Sequence, residues 1–344
     1  MTRLALITGI TGQDGSYLAE FLLGKGYKVY GIVRRNSYLF NLGRIQHIEN
    51  QIELRYGDMT DCAALTGYLH EIMRNNTDFE RFEIYNLAAQ SHVQVSFEIP
   101  EYTTDVDANG TLRLLNGIMT LPEACRPRIR FYQASTSELY GKVLETPQSE
   151  TTPFNPCSPY AVAKLYAFHM TKVFRESYNL FAINGILFNH ESARRGQNFL
   201  TMKVVNGVKA IARGNSTMIQ LGNLNAKRDW GWAPDYVAGM WLMMQNNAPK
   251  DYVLATGQTY TVREFVEEAF AQIPLTITWS GFGQAEVGRD EYGQVRVQVD
   301  PQYFRPNEVE LLLGDPSMIE RELGWQRSCQ TLTELVRHMF EDEI

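Results

Sequence analysis

Short apolar runs alternate with longer amphipathic stretches through the first half of the chain. Apolar runs of this length are typical of buried strands, whereas an apolar period of three to four residues is typical of helices. The predicted strands are Leu4–Thr8, Lys28–Val33, Ile52–Tyr56, Glu83–Leu87, Ile129–Gln133 and Phe181–Phe188. The predicted helices between them are Tyr17–Leu23, Cys62–Met73, Asp105–Met119 and Tyr160–Glu176. This alternation predicts an α/β fold built on a doubly wound parallel sheet.

The alternation becomes less regular after about Asn189, where Gly, Asn and Pro are more frequent. An irregular stretch is expected from about Ser280 to Pro306. Further helices are predicted at Met202–Ala212, Asp235–Met244, Ser317–Leu323 and Leu332–Phe340. We therefore expect a larger first domain over residues 1–188 and a smaller α/β domain over residues 189–344, with some segments of the second half returning to the first domain.

The composition is that of an ordinary globular protein, with 44% hydrophobic and 21% charged residues and a net charge of −7. An acidic chain does not favour a nucleic-acid partner. Neither the four cysteines nor the six histidines have the spacing of metal ligands, so we expect reduced thiols, a cytoplasmic protein and no metal. The apolar run at Leu4–Ile7 is too short for a signal peptide, and no run is long enough to span a membrane, so no membrane association is expected.

A glycine-rich segment, Gly9-Ile10-Thr11-Gly12-Gln13-Asp14-Gly15, lies between the first predicted strand and the first predicted helix. Glycines at such a turn let backbone N–H groups approach a pyrophosphate at the helix N-terminus. The spacing is G-x-x-G-x-x-G rather than the more usual G-x-G-x-x-G, and a purely structural turn is the alternative. The position after a first strand favours dinucleotide binding, and hence a Rossmann domain over residues 1–188.

The end of the second predicted strand indicates which dinucleotide binds. Proteins that bind NAD usually place an acidic residue there for the ribose 2′-hydroxyl, whereas this chain has Arg34 and Arg35, followed by Asn36 and Ser37. Guanidinium groups suit a 2′-phosphate, so the sequence predicts NADP; a solvated surface pair is the alternative. Asp58, after the third strand, either accepts a hydrogen bond from the adenine amino group or caps the following helix.

Tyr160 and Lys164 are four positions apart in a predicted helix and therefore project from the same face. A nearby ammonium favours a phenolate, so we expect Lys164 to lower the pKa of Tyr160 and make it a base near neutral pH. The fifth predicted strand leads into a segment that brings Thr136 and Glu138 to the carboxyl edge of the sheet, where such sheets bind ligands. Together these residues predict redox chemistry coupled to proton removal, although a Tyr-x-x-x-Lys spacing alone is too common to indicate it.

Cationic residues of the second half are candidates for binding phosphates. Arg194 and Arg195 follow the sixth predicted strand, and we expect both to point into a substrate cleft and hold a diphosphate. Lys203, Arg228 and Arg305 lie in the predicted second domain. Solvated surface charge is the alternative interpretation for this whole set.

These residues and several longer segments carry a family resemblance. The glycine pattern at Gly9–Gly15, combined with Tyr160-x-x-x-Lys164, resembles the extended short-chain dehydrogenase/reductase superfamily, which acts on nucleotide sugars. Within it, the chain is similar to the GDP-mannose 4,6-dehydratases, and the similarity extends over nearly the whole chain. The matching segments are GITGQD (9–14), LAAQSHV (87–93), QASTSELYG (133–141), SPYAVAK (158–164), GILFNHES (185–192), RDWG (228–231) and RPNEVELLLGDP (305–316).

The resemblance implies a hydro-lyase that converts GDP-D-mannose to GDP-4-keto-6-deoxy-D-mannose and water, a first step towards GDP-deoxy sugars such as GDP-fucose or GDP-rhamnose. It implies internal hydride transfer through bound NADP, with no net use of the cofactor. Tyr160 would take the C4 hydroxyl proton, and Lys164 would bond the cofactor ribose and tune Tyr160. Glu138 would take the C5 proton and, with Thr136, assist departure of the C6 hydroxyl.

The same resemblance implies two sets of binding residues. The implied cofactor-binding residues are Gly9, Ile10, Thr11, Gly12, Gln13, Asp14, Gly15, Arg34, Arg35, Asn36, Ser37, Asp58, Met59, Leu87, Ala88, Ala89, Gln90, Ser91, Tyr102, Lys164, His190 and Arg195. The implied substrate-binding residues are Asn189, Lys203, Arg228, Arg305 and Glu308.

Two other functions are compatible with parts of this pattern. An NADP-dependent nucleotide-sugar epimerase or 4-ketoreductase needs Tyr160 and Lys164 but no carboxylate for a C5 proton, so Glu138 discriminates between the two groups. A catalytically inactive scaffold or regulatory protein would tolerate the loss of Tyr160 or Lys164.

The chain also departs from the family pattern at Ala193, at Trp232 and in a short segment at Glu286–Val299, which bears on how the guanine and mannose are held. Residues 34–44 resemble a loop that reaches a neighbouring subunit's cofactor in relatives. A homotetramer is therefore expected, with a dimer as the alternative.

Overall fold

The computed structural model describes residues 1–35, 42–303 and 309–341. Its main element is a seven-stranded parallel sheet with the strand order β11-β6-β5-β4-β1-β2-β3. These strands are β1 Thr2–Thr8, β2 Lys28–Val33, β3 Ile52–Tyr56, β4 Phe79–Asn86, β5 Ile129–Thr136, β6 Phe181–Leu187 and β11 Tyr252–Leu254. The strand order reverses between β1 and β4, and such a switch point opens a crevice at the carboxyl edge of the sheet.

Helices cover both faces of this sheet. Helices α1 and α8 pack on one face, whereas α2 and α5 pack on the other. The helices are α1 Gln13–Gly24, α2 Cys62–Asn75, α3 Val93–Glu98, α4 Pro100–Thr104, α5 Gly110–Met119, α6 Pro159–Tyr178, α7 Leu200–Ala212, α8 Ala233–Gln245, α9 Val262–Phe270, α10 Ser317–Leu323 and α11 Leu332–Phe340. Because both faces are covered, the central strands are apolar runs without alternation, as at Leu4–Ile7, where every side chain is fully buried.

A smaller body follows β6 in the chain. It contains a four-stranded sheet in the order β13-β14-β15-β8, and α7, α9 and α11 share an apolar core with that sheet. Two short strand pairs, β7 with β10 and β9 with β12, complete the set. The strands are β7 Asn189–Glu191, β8 Ile219–Leu221, β9 Lys227–Arg228, β10 Trp230–Trp232, β12 Tyr260–Thr261, β13 Thr278–Ser280, β14 Val287–Arg289 and β15 Val295–Val299.

The structure differs from the sequence expectations in several places. Part of the stretch expected to be irregular, from 280 to 306, forms β14 and β15. Helix α9 was not predicted, although Thr261 and Glu264 form a capping box at its start. The helix expected from Asp105 begins as a π-helical turn at Asp105–Asn109 before α5. Strand β11 was also missed, because three residues give too little pattern to identify a strand.

Within the part of the chain that the structure describes, no helix is both long and apolar enough to cross a membrane. The same residues contain no group of three or more His, Cys, Asp or Glu side chains arranged to hold a metal ion.

Candidate active site

A cleft of about 1230 Å³ lies at the carboxyl edge of the large sheet, between that sheet and the smaller body. The loops that follow β1, β4 and β5 line one side of it, and residues from α7 and from the segment after β8 line the other. The cleft therefore lies at the switch point between β1 and β4, where open α/β sheets bind ligands.

The glycine segment after β1 forms one wall of this cleft. Gly9 has a φ of +69°, and a Cβ atom there would lie 2.9 Å from the backbone nitrogen of Ala88. A Cβ atom at Gly15 would lie 2.3 Å from the carbonyl oxygen of Gly9. Neither position can carry a side chain, so the backbone is exposed to a ligand where α1 begins. The side chain of Ile10, by contrast, is fully buried in the core below the turn.

Arginine side chains line the cleft that contains the glycine turn. Arg34, Arg44 and Arg195 line the cleft, and Arg44 Nη1 donates to the carbonyl oxygen of Thr11 over 3.1 Å. Arg34 also donates to the hydroxyl group of Tyr102, which lines the same cleft. The sequence had not singled out Arg44 as a binding residue, and no local pattern marks it. Three guanidinium groups near one glycine turn suit a ligand with several phosphate charges.

Arg35 lies beside the cleft rather than in its wall. Its guanidinium carbon is 5.9 Å from the centre of the Tyr56 ring. Of the two adjacent arginines, the structure therefore brings only Arg34 into the cleft wall. The next two predicted cofactor residues, Asn36 and Ser37, lie outside the described residues.

The expectation that Arg194 points into the cleft was wrong. Arg194 is buried against α1, where its Nη1 lies 2.6 Å from Glu20 Oε1 and 3.2 Å from Ser16 Oγ. Its guanidinium also lies over the ring of Tyr17 at 4.0 Å. Glu20 is 174 positions away in sequence, so only the folded chain reveals the pairing. Arg194 therefore connects the segment after β7 to α1. Of the two arginines, only Arg195 lines the cleft.

The loops after β3 and β4 contribute further predicted residues. Asp58 Oδ1 accepts hydrogen bonds from the backbone nitrogen and the hydroxyl of Thr60, both at 2.9 Å. The cap of α2 is Asp61, whose carboxylate accepts from the nitrogen of Ala64, so Asp58 is not the helix cap. The other predicted residues of these loops that line the cleft are Met59, Leu87, Ala88, Ala89, Gln90 and Ser91.

Thr136, Glu138, Tyr160 and Lys164 converge in the middle of the cleft. Strand β5 ends at Thr136, and a 3-10 turn at Ser137–Leu139 places Glu138 next to it. Helix α6 begins just before Tyr160, where Ser158 Oγ accepts from the nitrogen of Ala161 over 3.1 Å.

The side chains of this group are hydrogen-bonded to one another and to the sheet. Tyr160 shares a hydrogen bond with the side chain of Thr136. Lys164 Nζ donates to the carbonyl oxygen of Ala134 over 3.1 Å. The group therefore holds a hydroxyl, a carboxylate, a phenol and an ammonium at one point of the cleft, and Lys164 is only 3% exposed.

The expectation that Lys164 lowers the pKa of Tyr160 was wrong for this structure. Burial raises the pKa of Tyr160, and the charge of Asp107 raises it further. The hydrogen bond with Thr136 acts in the opposite direction but does not offset these effects. Lys164 Nζ lies 5.9 Å from the centre of the Tyr160 ring, and burial lowers the pKa of Lys164 itself. Burial and the charge of Asp107 therefore favour the neutral phenol at Tyr160.

Asp107 lies beneath this group, is 1% exposed and was not among the residues predicted for the site. Burial raises its pKa to about 6, although the charge of Lys164 and a backbone hydrogen bond from Gln90 oppose the shift. No local pattern marks Asp107 in the sequence, because Asp105 and Asn109, two positions to either side, are also polar.

An ionic network joins the glycine segment to the start of the smaller body. His190 Nε2 lies 2.8 Å from Asp14 Oδ2, and Gln13 Nε2 donates to the carbonyl oxygen of His190 over 3.0 Å. Glu191 Oε2 lies 3.0 Å from Arg195 Nε, so a buried carboxylate orients the arginine that reaches the cleft. The network fixes one wall of the cleft relative to the other.

The far end of the cleft contains predicted substrate residues. Asn189, Lys203 and Arg228 line it, and Lys203 Nζ lies 3.3 Å from the centre of the Tyr303 ring. Arg305 and Glu308 lie outside the described residues.

The departures from the family pattern lie away from the cleft wall. Trp232 stacks on His338 with ring centres 4.7 Å apart. Neither Trp232, Ala193 nor any residue of 286–299 contributes to the wall of the cleft. These departures therefore do not alter the residues that line the described part of the cleft.

A family model described as GDP-mannose 4,6 dehydratase matches residues 6–339. The chain belongs to this family. It is 54% identical to the GDP-mannose 4,6 dehydratase of Cricetulus griseus, an alignment that covers 99% of this chain and 91% of the relative. The GDP-mannose 4,6 dehydratase of Homo sapiens is similar to the same extent, with 54% identity over 99% of this chain and 91% of the relative.

A solved structure supports the fold. The structure of DesIV, a dTDP-glucose 4,6-dehydratase from Streptomyces venezuelae with NAD and TYD bound, superposes with a TM-score of 0.77. The sequences are 22% identical, and the match covers 98% of this chain and 96% of that chain. The shared architecture is the doubly wound sheet with its smaller second body.

Proposed function

We propose that this protein converts GDP-D-mannose to GDP-4-keto-6-deoxy-D-mannose and water, using a nicotinamide dinucleotide that is oxidised and reduced within one turnover. The observation that carries this proposal is the position of Glu138 in the same cleft as Tyr160 and Lys164, in a chain of the GDP-mannose 4,6-dehydratase family. A base at an alcohol and a carboxylate for a second proton are the two groups that oxidation followed by elimination requires.

The cleft fits a dinucleotide phosphate. The backbone at Gly9 and Gly15 leaves room that a Cβ atom would fill, and the start of α1 favours an anion there. Arg34, Arg44 and Arg195 line this cleft; Arg44 and Arg195 are the proposed partners of the pyrophosphate, and Arg34, after the end of β2, is the proposed partner of a 2′-phosphate. This arrangement supports NADP over NAD, because a 2′-phosphate can pair with a guanidinium and a ribose diol lacks that charge.

A nicotinamide in its oxidised form, held by the residues of this cleft, would supply a positive ring charge and a reversible hydride acceptor. The positive charge matters for Tyr160, whose pKa is raised by burial. A cation near the phenol favours the phenolate, and the hydrogen bond with Thr136 acts in the same direction. Tyr160 then takes the proton of the C4 hydroxyl as the C4 ketone forms.

Glu138 acts at the neighbouring carbon. The C4 ketone acidifies the C5 hydrogen, and the Glu138 carboxylate takes that proton. The electron pair forms the C5–C6 double bond as the C6 hydroxyl departs, and the carboxyl group, with Thr136 beside it, donates the proton that completes water. Return of the hydride to C6 would then be accompanied by delivery of a solvent proton to C5, which gives the 4-keto-6-deoxy sugar.

A nucleotide-sugar epimerase or 4-ketoreductase remains the alternative function. Such an enzyme uses Tyr160 and Lys164 but needs no carboxylate at the position of Glu138. A catalytically inactive scaffold protein would have no requirement for the four polar side chains that the structure brings together at this point.

We also propose that the chain forms a homo-oligomer, a tetramer or otherwise a dimer. Helix α6 exposes Val162, Tyr166 and Val173 along one face, with 56%, 40% and 42% of each residue accessible to solvent. An apolar helix face of this kind is suited to contact a second copy of the chain. Tyr166→Glu should shift the mass measured by light scattering to a smaller species, whereas an unchanged mass would count against this face.

The activity is tested by mixing the purified protein with GDP-mannose in the absence of added NADPH. A 4-keto-6-deoxy product should appear, and mass spectrometry should show one oxygen lost as water. An epimerase would give an isomer of unchanged mass, and a reductase would give no product without added reductant. The scaffold alternative predicts binding without any change in the sugar.

A further inference from the structure

Asp107 is a buried carboxylate whose two oxygens differ in their hydrogen bonding. Its Oδ1 accepts a hydrogen bond from the backbone nitrogen of Gln90 over 2.7 Å. Its Oδ2 is fully buried and accepts no hydrogen bond from the part of the chain that the structure describes. A buried carboxylate oxygen without a donor is costly, so a purely structural role would be better served by an amide or an apolar side chain.

The backbone holds Asp107 in this position through an irregular turn. Asp107 lies in the π-helical turn Asp105–Asn109, and its carbonyl oxygen accepts from Thr111 Oγ1 over 3.0 Å. A π turn rotates the side chains that follow it relative to a regular helix and is frequent at functional sites. Here it packs against α6, the helix that carries Tyr160 and Lys164.

The charge of Asp107 acts on both of these residues. Burial lowers the pKa of Lys164, and the carboxylate of Asp107 opposes that effect. Burial raises the pKa of Tyr160, and Asp107 raises it further. The other charges that face Tyr160 are Glu138, which raises its pKa, and Arg195, which lowers it.

We propose that Asp107 is a positioning residue that keeps Lys164 an ammonium beside Tyr160. Through its hydrogen bond with Gln90 it also holds the loop after β4 next to these two residues. The inference rests on the proposed function, in which Tyr160 is the base at the sugar hydroxyl. Asp107 thereby sets the pH range in which Tyr160 can lose its proton while Lys164 keeps its own. It acts through these two residues and through Gln90, and it does not touch the reacting sugar.

The test is the pH dependence of kcat/KM for GDP-mannose in the holoenzyme with Asp107→Asn. Asparagine retains an acceptor for Gln90 but removes the charge. Both limbs of the bell-shaped profile should move to lower pH by about one unit, because a close charge shifts a pKa by one to three units. Asp105→Asn is the matched control: it lies two positions away, pairs with Arg113 at 2.7 Å, and should leave the limbs in place.

A second readout needs no turnover. The phenolate absorbance of Tyr160, taken as the difference between each protein and its Tyr160→Phe derivative, should appear at lower pH in the Asp107→Asn background. If Asp107→Asn does not fold, Asp107→Ser removes the same charge and serves for the same measurement. A profile that loses height without moving its limbs, with an unchanged phenolate titration, would overturn the inference. Absence of product from the unmodified protein would instead overturn the proposed function.

Discussion

His190 Nε2 lies 2.8 Å from Asp14 Oδ2, while its Nδ1 lies 2.7 Å from the carbonyl oxygen of Phe188. A carbonyl oxygen and a carboxylate both accept hydrogen bonds, so the imidazolium form of His190 satisfies both contacts at once. Burial lowers the pKa of His190, but the charge of Asp14 and the hydrogen bonds raise it overall. Burial likewise raises the pKa of Asp14, yet the charge of His190 and the accompanying hydrogen bonds lower it overall.

This pair should stabilise the fold within a defined pH range. The contribution of His190 is complete below its unfolded pKa of 6.5 and is lost as pH rises through its higher folded pKa. The contribution of Asp14 is present above its unfolded pKa of 3.8 and is lost as pH falls through its lower folded pKa. Asp14→Asn should therefore reduce the free energy of unfolding most between about pH 4 and 6.5, by on the order of 2–3 kcal/mol.

Urea denaturation across this pH range measures the effect. Asp58→Asn is a suitable control, since Asp58 accepts only local hydrogen bonds from Thr60 in the described structure. If the free energies of unfolding of the unmodified protein and of Asp14→Asn differed by the same amount at every pH, His190 would not be the charged partner of Asp14.

Continuous apolar runs made the large sheet predictable. Strand β2 was predicted with its observed bounds, because a strand covered on both faces lacks alternation and stands out as an apolar run. Strand β3 was also predicted with its observed bounds, although it is the edge strand and only Ile52 is buried in it. The glycine segment and the Tyr160–Lys164 pair could also be placed, since each depends on spacing within one element. Strand β11 could not, because its three residues pair with β6 from a distant part of the chain.

The features of the site that the sequence did not predict depend on contacts between distant parts of the chain and on the burial that these contacts produce. Arg194 and Arg195 are adjacent and chemically identical, and only the fold places Glu20 beside the first and the cleft beside the second. The pKa of Tyr160 depends in the same way on burial and on Asp107, a residue from another helix. Spacing identifies which groups share a face, but it does not give the solvation on which their pKa values depend.

Cofactor preference should depend on Arg34 more than on Arg35. Arg34→Ala should weaken NADP binding about 10- to 100-fold, as expected for a lost charge-assisted hydrogen bond, and should leave NAD binding nearly unchanged. Arg35→Ala should have a smaller effect because Arg35 lies beside the cleft, over Tyr56. Calorimetric titration of both cofactors measures this. Equal losses for NADP and NAD in the Arg34 variant would show that the arginine does not contact a 2′-phosphate.

Tyr160→Phe should preserve the fold and abolish the first proton transfer. Removing a general base typically lowers kcat by ~10²–10⁴-fold. Tyr140→Phe is the matched control, because the buried Tyr140 hydroxyl donates to the carbonyl oxygen of Ser149 over 2.7 Å and lies outside the cleft wall. The control should lose stability by about 1 kcal/mol and keep its turnover. Near-normal turnover by Tyr160→Phe would remove Tyr160 from the mechanism.

The negative charge on Asp107 should lower the free energy of unfolding, in addition to its effect on the pH profile of kcat/KM. Its pKa is raised by burial from 3.8 to about 6, so the ionised form is disfavoured in the folded chain. The contribution of the protonated Asp107 side chain to the free energy of unfolding is complete below its unfolded pKa of 3.8 and is lost as pH rises through about 6. Asp107→Asn should therefore be more stable than the unmodified protein above pH 6, by on the order of 3 kcal/mol, and should lose this advantage near pH 4.

Thermal unfolding at pH 4 and pH 7 tests this prediction. Asp251→Asn provides a control of opposite sign, because Asp251 receives two hydrogen bonds from Arg175, at 2.7 and 2.9 Å, and its replacement leaves a partly buried arginine without its charged partner. A loss of stability in Asp107→Asn at pH 7 would mean that the carboxylate is held by favourable contacts rather than tolerated for its charge.

Glu138 separates a dehydratase from an epimerase or a reductase on the same fold. Oxidation at C4 requires Tyr160 and the cofactor, but elimination across C5 and C6 requires a base for the C5 proton. Glu138→Gln retains the size and hydrogen-bonding capacity of the side chain and removes its ability to accept that proton. The variant should still pass hydride to the cofactor, which appears as nicotinamide absorbance near 340 nm, yet form almost no 4-keto-6-deoxy product.

Exchange of the C5 hydrogen with solvent deuterium tests the same step directly. The unmodified protein should introduce deuterium at C5, whereas Glu138→Gln should not. Glu138 lines the cleft with Tyr160, whereas Asp107, the other carboxylate whose charge acts on Tyr160, is buried and does not line the cleft. Glu145→Gln is the control, since Glu145 accepts from Thr152 Oγ1 over 3.0 Å and lies outside the cleft. It should exchange and turn over normally. Product formation and C5 exchange at normal rates in Glu138→Gln would make this carboxylate structural, and the case for elimination in this cleft would then favour an epimerase or a reductase.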